Sequence, residues 1–348
     1  MKIELDHEKL QYSGRIDDSN PKRPEFIFPA SSLTFAFLGT GAAAVVCNRK
    51  AYWDNYVGII VDGVQKKVLL PEQGSARIVL AEGLPEREHQ VTLFKRQDAC
   101  HEFAIEELEI FGNGVLLDPP EKPHRKIEVY GDSVSAGEVS ELEEYAGKPD
   151  PVHNGEYSNS WYSYGAIAAR KLNAQIHDIA QGGIALLDGT GWFSAPAYPG
   201  MESVWDKVHY CPELGKMTDW DFSKYTPHVV IAAIGQNDNH PEDYMKEDPN
   251  GEKAQYWKKR YEAWIKKIRE KYPKAAIILA TTILEHDPNW DAAIEEVCQR
   301  LGDDRVYHFQ YTNNGRGTPG HIRISEAEKM AEELCRFIEA LPGTIWES

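Results

Sequence analysis

The sequence of 348 residues places one serine where nucleophilic chemistry is possible. Gly131-Asp-Ser133 follows Ile127-Glu-Val-Tyr130, an apolar segment typical of a buried strand. Ligand sites of open α/β sheets lie outside the carboxyl ends of the strands, so the hydroxyl of Ser133 would face a crevice. Average composition yields Gly-Asp-Ser in about one chain in ten of this length. For the motif alone, a helix N-cap serine is the simpler explanation.

Two further strand ends carry groups that can donate hydrogen bonds to an oxyanion. Gln181-Gly-Gly183 follows a predicted strand over 175–180, and Gly235-Gln-Asn237-Asp follows another over 228–234. Glycine lets a backbone N–H approach a ligand closely, and asparagine supplies a side-chain amide. Each could be an ordinary turn residue. Together with the N–H of Ser133, however, donors after three successive strands predict an oxyanion hole at one edge of a sheet.

A serine nucleophile also needs a base, because its protonated hydroxyl is weakly nucleophilic. His321 lies in Thr318-Pro-Gly-His321, between the predicted fifth strand and the final helix. Seen alone, it could be a solvent-exposed loop histidine. Its position after the fifth strand would return it to the sheet edge that carries Ser133, so His321 is also a candidate for the base.

These residues depend on a strand–helix rhythm that begins near residue 126. The chain predicts strands over 126–130, 175–180, 228–234, 275–281 and 305–309, and helices over 161–172, 253–271, 291–301 and 326–341. Strands that alternate with helices of this length favour a parallel sheet covered by helices on both faces. We therefore predict an α/β fold with a five-stranded parallel sheet for residues 126–348.

The first part of the chain reads differently, as short strands without helices. Strands are predicted over 33–38, 56–62, 64–70, 90–95 and 104–111, and Asp62-Gly63 indicates a two-residue hairpin turn. This spacing predicts an antiparallel sandwich or jelly roll over residues 1–118, joined by a proline-rich linker at 119–125. Gly39-Thr-Gly-Ala-Ala-Ala44 matches a dinucleotide-binding turn. We disfavour that alternative because another strand, not a helix, follows it.

Charge and composition limit the classes of molecule that this protein is expected to bind. The chain has 55 acidic and 38 basic residues, a formal net charge of −17. Such a surface repels phosphate backbones and anionic lipid, so nucleic acid and membranes are poor candidates, whereas a neutral sugar meets no penalty. No histidine–carboxylate cluster has ligand spacing, so neither a metal nor a cofactor is expected. Oligomeric state is not readable from the sequence.

Localisation is also an expectation from the sequence. The five cysteines are scattered and odd in number, which is typical of reduced thiols in a cytosol. Residues 1–8 lack the apolar stretch of a signal peptide. We expect a cytoplasmic protein if Met1 is the native start, and a secreted one if a leader has been removed.

The four blocks around Ser133, Gly183, Asn237 and His321 resemble those of the SGNH (GDSL-type) hydrolases, over roughly residues 126–340. With the preceding all-β region, which includes Leu93-Phe-Lys-Arg96, the chain is similar to the family 2 carbohydrate esterases. The resemblance implies a jelly roll followed by a three-layer SGNH domain that removes O-acetyl groups from plant-polysaccharide sugars. It implies that Ser133 is the nucleophile, that His321 is the base, and that the N–H groups of Ser133 and Gly183 and the amide of Asn237 bind the oxyanion. Gly183 is preferred to Gly182 because it lies five residues beyond Asp178, as in the superfamily.

One position departs from the superfamily. An aspartate usually precedes the histidine by three residues, and here that residue is Thr318. A threonine hydroxyl carries no charge to stabilise an imidazolium, so we predict a Ser–His dyad in which a backbone carbonyl holds the imidazole. The pKa of His321 would then lie near or below its ordinary value of about 6.5. Alternatively, an acid reaches in from another loop, and the candidates are Glu285, Asp287, Asp303 and Asp304.

Tryptophans after strand ends are candidates for a sugar-binding platform. We single out Trp192, in Asp188-Gly-Thr-Gly-Trp192, and Trp290, in the predicted loop after strand four. Acetylated xylo- or manno-oligosaccharides are the expected substrates. Two rival functions remain open at this point: an SGNH lipase or thioesterase acting on small acyl esters, and a carbohydrate-binding protein whose hydrolase domain is inert.

Overall fold

The computed structural model describes residues 1–347. Its strands are Lys2–Ile3 (β1), Gln11–Ser13 (β2), Ile16–Asp17 (β3), Glu25–Phe26 (β4), Ser32–Gly39 (β5), Gly41–Lys50 (β6), Tyr56–Val61 (β7), Val64–Leu69 (β8), Gly74–Ala81 (β9), Arg87–Lys95 (β10), His101–Phe111 (β11), Val115–Leu117 (β12), Arg125–Gly131 (β13), Ala174–Ala180 (β14), Lys207–His209 (β15), Thr218–Asp219 (β16), Val229–Ala233 (β17), Ala276–Ala280 (β18) and Val306–His308 (β19). The α-helices are Tyr164–Lys171 (α1), Met201–Val204 (α2), Tyr244–Glu247 (α3), Glu252–Lys271 (α4), Pro288–Leu301 (α5) and Ile324–Ala340 (α6).

The first twelve strands form two six-stranded antiparallel sheets. One has the order β3-β4-β11-β6-β9 with β1 beside β11, and the other has the order β12-β5-β10-β7-β8 with β2 beside β5. Alternate residues of β5, among them Phe35 and Phe37, are buried together with Val46 and Phe103 of the facing sheet. Burial of every second residue is typical of a strand, and it explains why the sequence of this region predicts strands. The predicted all-β region is present, while its jelly-roll connectivity stays a prediction.

Two local features of this region test the sequence analysis. Asp62 and Gly63 both have positive φ, 48° and 86°, and join β7 to β8 as the predicted hairpin. The segment that resembles a dinucleotide-binding turn runs from the end of β5 into β6, a ten-residue strand paired on both sides. No helix follows it, so the disfavoured nucleotide site is absent from residues 39–50. Of the predicted linker, residues 119–124 contain neither helix nor strand, whereas residue 125 already begins β13.

Five parallel strands form the second region, in the order β14-β13-β17-β18-β19. Residues of β13 alternate between two cores: Ile127 and Val129 pack with α1 and α6, whereas Tyr130 packs with α4 and α5. Helices thus cover both faces of the sheet, as the strand–helix rhythm predicted. The two regions also contact each other, because the buried Arg15 donates to the carbonyl oxygens of Trp205 (2.7 Å) and Lys207 (3.0 Å). Of the helices in residues 1–347, none is long and apolar enough to cross a bilayer.

Candidate active site

Five of the six residues predicted for the site line one cleft of about 550 Å³. The cleft lies at the carboxyl ends of β13, β14 and β17, where the parallel sheet exposes its strand-end loops. The five residues are Ser133, Gly183, Trp192, Asn237 and His321. The sequence predicted this arrangement, because each of these residues follows a strand end and the strand ends meet at one edge of the sheet.

Asp132 connects the loops that follow β13 and β17 through hydrogen bonds. Its Oδ1 accepts the N–H of Val134 at 3.0 Å, and its Oδ2 accepts the amides of Gln236 at 2.7 Å and Asn237 at 3.0 Å. Complete burial raises the pKa of Asp132. The carboxyl group therefore fixes the turn that follows β13, which presents Ser133 to the cleft, relative to the loop that follows β17.

The backbone around Gly182 and Gly183 distinguishes between the two glycines as oxyanion donors. The N–H of Gly182 donates to Oδ2 of Asp98 at 3.0 Å. Within residues 1–347, the N–H groups of Gly183 and Ser133 have no acceptor. Gly183 has a φ of +72°, and a Cβ on it would lie 2.9 Å from Cβ of Trp192, so only glycine suits this turn. The free N–H supports the preference for Gly183.

Asn237 reaches the same cleft, but its amide is already engaged. Nδ2 donates to Asp132 and, at 3.1 Å, to the carbonyl oxygen of Ile184. These bonds hold the side chain in one orientation. Donation to an oxyanion would require one of them to be shared or exchanged, and this role for Asn237 stays a prediction.

The acid that orients His321 is Asp150, which the sequence analysis did not single out. Nδ1 of His321 lies 2.5 Å from Oδ2 of Asp150, and the backbone N–H of His321 donates to the same carboxylate at 3.1 Å. Arg323, fully buried, donates to Oδ1 of Asp150 at 2.6 Å. The predicted dyad is therefore wrong: a carboxylate, and not a backbone carbonyl, accepts the Nδ1 proton.

None of the acids proposed as alternatives plays this part. Asp287 caps α5 by accepting the N–H of Asn289 at 3.0 Å, and Asp303 pairs with Arg269 at 2.7 Å. Glu285 and Asp304 are exposed. Thr318 accepts the N–H of Gly320 through its hydroxyl at 3.3 Å, which agrees with the expectation that it does not replace the acid.

The expected pKa of His321 is corrected in the same way. Burial alone lowers the pKa of His321, but the carboxylates of Glu138 and Asp150 outweigh burial and raise it above its ordinary value. Conversely, although burial opposes ionisation, the contacts with His321 and Arg323 hold the pKa of Asp150 well below its usual range. The pair is thus an ionised carboxylate beside an imidazole that protonates readily.

The two tryptophans have different environments. Trp192 is 62% exposed, lines the cleft and stacks on His240 with a centroid distance of 3.5 Å. Trp290 is fully buried against Trp257 and donates through Nε1 to Asp243. The prediction that Trp290 lines the cleft is wrong, because α5 begins at Pro288 and turns this side chain into the core.

Sequence reasoning also missed contributions from the first region. Tyr52 and Trp53, in the loop between β6 and β7, line the cleft beside Ser133. Glu138 lies there too, one turn after the serine. No spacing motif marks Tyr52 or Trp53. For Glu138 the only signal was proximity, since it follows Gly-Asp-Ser by five positions.

Two groups of side chains in residues 1–347 could supply metal ligands, and neither includes Ser133 or His321. They are Cys100, Cys211 and Glu213, and Asp17, Glu25 and His209. In the second group, Lys216 pairs with Asp17 at 2.8 Å, so a cation of the protein already occupies part of the carboxylate. The expectation that the chemistry needs no metal stays a prediction.

Comparison with known proteins follows this geometry. Residues 12–120 match the family model described as carbohydrate esterase 2 N-terminal. Among curated proteins, the cellulase/esterase CelE of Acetivibrio thermocellus is 30% identical over 96% of this chain, which spans 40% of the length of that relative. The acetylxylan esterase / glucomannan deacetylase of Cellvibrio japonicus is 24% identical over 87% of this chain and 83% of its own length.

Solved structures agree along the whole chain. A family two carbohydrate esterase from Clostridium thermocellum, in complex with cellohexaose, is 29% identical with a TM-score of 0.77, covering 95% of this chain and 98% of that one. One from Cellvibrio japonicus shares the fold with a TM-score of 0.81 and 23% identity, covering 100% and 98%. The parallel sheet with helices on both faces, and the all-β region before it, are thus shared with solved carbohydrate esterases. The resemblance to the family 2 carbohydrate esterases seen in the sequence is confirmed, and the named relatives are carboxylic ester hydrolases.

Proposed function

We propose that this protein is a serine esterase that removes O-acetyl groups from sugars derived from plant polysaccharides. The observation that carries the proposal is the single cleft lined by Ser133, Gly183, Asn237 and His321, in which Asp150 binds Nδ1 of His321. The names of the relatives, acetylxylan esterase and glucomannan deacetylase among them, support acetylated xylo- or manno-oligosaccharides as the substrates.

The arrangement supports a two-step acyl transfer. Asp150 keeps the proton of His321 on Nδ1, so that Nε2 is free to take the proton of Ser133 Oγ as this oxygen bonds to the acetyl carbon. The N–H groups of Ser133 and Gly183 would stabilise the oxyanion, with Asn237 as the third donor. The C–O bond to the sugar then breaks and the proton on Nε2 passes to the departing sugar oxygen. Water repeats the sequence on the acetyl-serine and releases acetate.

The cleft suits a neutral, hydroxyl-rich substrate. The exposed face of Trp192 offers a flat apolar surface of the kind that sugar C–H groups contact, and Tyr52 and Trp53 add aromatic surface from the first region. A related family two carbohydrate esterase was solved in complex with cellohexaose, which supports an oligosaccharide as the ligand of this protein as well. A net charge of −17 disfavours anionic lipid interfaces and nucleic acids as partners.

Mass spectrometry of acetylated xylo- and manno-oligosaccharides tests the reaction and the substrate together. We expect stepwise loss of acetyl groups with the wild type and none with Ser133→Ala. Ser135→Ala is the matched control, because Ser135 lies two residues away with its hydroxyl bonded to Tyr164 at 2.8 Å, and it should remain active. A serine-directed phosphonate should label Ser133. Activity of Ser133→Ala with labelling of another serine would end the proposal.

The same assay separates the rival functions. A lipase or thioesterase would prefer octanoyl to acetyl esters, whereas a cleft built for acetyl groups reverses that order. An inert hydrolase domain would bind the oligosaccharides without releasing acetate from them or from 4-nitrophenyl acetate.

A further inference from the structure

One acidic side chain in the cleft has no partner in the mechanism described above. The side chain of Glu138 is 11% exposed and lines the cleft beside Ser133. Within residues 1–347 it makes one ion-pair contact, 3.8 Å from Nε2 of His321, and its carboxyl oxygens take part in no hydrogen bond. A carboxyl group that lines a cleft and forms no hydrogen bond within the protein is free to bind a ligand there.

The neighbouring acids are satisfied by the protein, which sets Glu138 apart. Oδ2 of Asp98 accepts the hydroxyl of Tyr52 at 2.5 Å, the amide of Gln181 at 2.7 Å and the N–H of Gly182. Burial raises the pKa of Asp98, but the charge and hydrogen bond of His101, the hydrogen bond from Tyr52 and the charge of Lys95 outweigh burial and lower it to about 2. Asp98 is therefore an ionised structural group, whereas Glu138 is left to the cleft.

The chain holds the Glu138 carboxyl group close to the reacting atoms. The backbone N–H of Glu138 donates to the carbonyl oxygen of Ser133 at 3.0 Å, which places the two residues on one turn. A Cβ at position 182 would lie 2.9 Å from Oε2 of Glu138, so the absence of a side chain on Gly182 makes room for the carboxyl group. On the other side, Trp53 of the first region shares the wall of the cleft.

The protonation state of Glu138 suits a hydroxyl partner. Burial raises its pKa to about 7, and the charges of Asp98, Asp150 and Asp132 act in the same direction, while His321 opposes them. Near neutral pH both forms are populated, so the group can either donate to or accept from a ligand. Sugar hydroxyls both donate and accept, whereas the acetyl group has no hydrogen to donate.

We propose that Glu138 is a specificity-determining residue whose carboxyl group hydrogen-bonds a free hydroxyl of the sugar that carries the acetyl ester. This inference rests on the proposed function and names the part of the substrate that the cleft recognises. A site that hydrogen-bonds a substrate hydroxyl rejects an analogue that lacks it, because the buried group is then left unpaired. Glu138 thus distinguishes a sugar ester from a simple acetate.

The test combines variants of Glu138 with substrates that differ in one hydroxyl. The substrates are 4-nitrophenyl acetate, monoacetylated methyl β-xylosides, and the deoxy analogues that lack the hydroxyl next to the ester. Relative to 4-nitrophenyl acetate, Glu138→Ala should lower kcat/KM for the xyloside ester about tenfold to hundredfold. Glu138→Gln, which can still donate and accept, should keep that ratio within about threefold of the wild type. For the wild type, kcat/KM should fall by a similar factor when the xyloside ester is replaced by its deoxy analogue. For Glu138→Ala, the same replacement should cause no further fall.

The control is Glu144→Ala, at an exposed acid in the same connection between β13 and α1, which should match the wild type on all substrates. If Glu138→Ala lowers all three activities by one factor, Glu138 acts on His321 and the inference is wrong. It is equally wrong if the deoxy analogue loses the same factor in Glu138→Ala as in the wild type. Failure of the proposed function looks different: the wild type would cleave 4-nitrophenyl acetate but no sugar ester.

Discussion

Replacing Asp150 by asparagine should convert His321 to the wrong tautomer. The carboxylate accepts from Nδ1 of His321 at 2.5 Å and from Arg323 at 2.6 Å, through different oxygens. Arg323 is fully buried and can only donate, so the single oxygen of the asparagine amide must face it. The amide nitrogen then faces Nδ1 and donates to it. His321 would carry its proton on Nε2, where it cannot accept the proton of Ser133.

The expected loss of kcat follows from this change of tautomer. In serine proteases the same aspartate-to-asparagine change costs about ten-thousandfold in kcat through the same loss of tautomer. We expect kcat of Asp150→Asn to fall by about three to four orders of magnitude. The charge is lost as well, so the pKa of His321 should fall. Because the base acts when neutral, the acid limb of residual kcat/KM should move to lower pH than in the wild type.

The melting temperature provides an independent test of the contact between Asp150 and His321. The folded-state pKa of Asp150 is depressed, so its stabilisation is present above the unfolded value of about 3.9 and is lost as the pH falls through the folded one. At neutral pH the variant should therefore melt lower than the wild type, and the difference should shrink in acid.

The assay is hydrolysis of 4-nitrophenyl acetate from about pH 5 to 9, which spans the titration of histidine. Asp304→Asn, at an exposed acid that the sequence analysis considered for the same role, should behave like the wild type. A folded Asp150→Asn variant that retains more than about a tenth of the wild-type kcat would refute the reasoning, since loss of the tautomer costs far more. Such a result would mean that His321 works as a base without the carboxylate of Asp150.

Four further predictions concern Asn237, the two tryptophans and the absence of a metal. Asn237→Ala should lower kcat by about two to three orders of magnitude with a similar KM, because its amide would bind the oxyanion; a loss of affinity alone would place it in substrate binding. Trp192→Ala should raise KM for an acetylated oligosaccharide much more than for 4-nitrophenyl acetate, and equal effects on the two would remove Trp192 from the platform. Trp290→Ala should cost about 3–5 kcal/mol of unfolding free energy, measured by denaturant titration, because it empties a buried site; a change in KM without a loss of stability would contradict this. Exhaustive chelation should leave ester hydrolysis unchanged, and loss of activity restored by a divalent ion would disprove that.

The parallel sheet and most of the site could be predicted because they depend on local signals. Apolar segments ending in Gly-Asp-Ser133 and in Gly-Gln-Asn237 mark strand ends, and parallel strands bring their carboxyl ends to one edge. His321 follows from the same rule, since it lies between the last strand and the last helix. No knowledge of loop conformation is needed for any of these.

Asp150 could not be predicted because its contact depends on the path of a loop. It lies in Lys148-Pro-Asp-Pro151, where the prolines indicate only that the segment is not regular. Its partner, His321, is 171 residues away in the sequence. The acids weighed instead were close to the last strands in sequence, and proximity along the chain says little about which loop folds over the sheet edge.

The error at Trp290 has a different origin, because a local signal was available. Asp287-Pro288 is a helix start, with an aspartate N-cap and proline at the first helical position, and α5 begins there. The helix predicted from the sequence begins at residue 291, which leaves Trp290 in a loop facing the cleft. Including one more turn places its side chain on the buried face.

The first region contributes residues to the candidate active site. Asp98, in the loop between β10 and β11, accepts the N–H of Gly182 and so leaves Gly183 as the donor that faces the cleft. Tyr52 holds the same carboxylate, and Trp53 extends the wall toward Glu138. If the proposed function is correct, the contact between the two regions sets both the geometry of the oxyanion donors and the recognition of the sugar. This dependence gives a physical reason for the all-β region and the hydrolase sheet to occur in one chain.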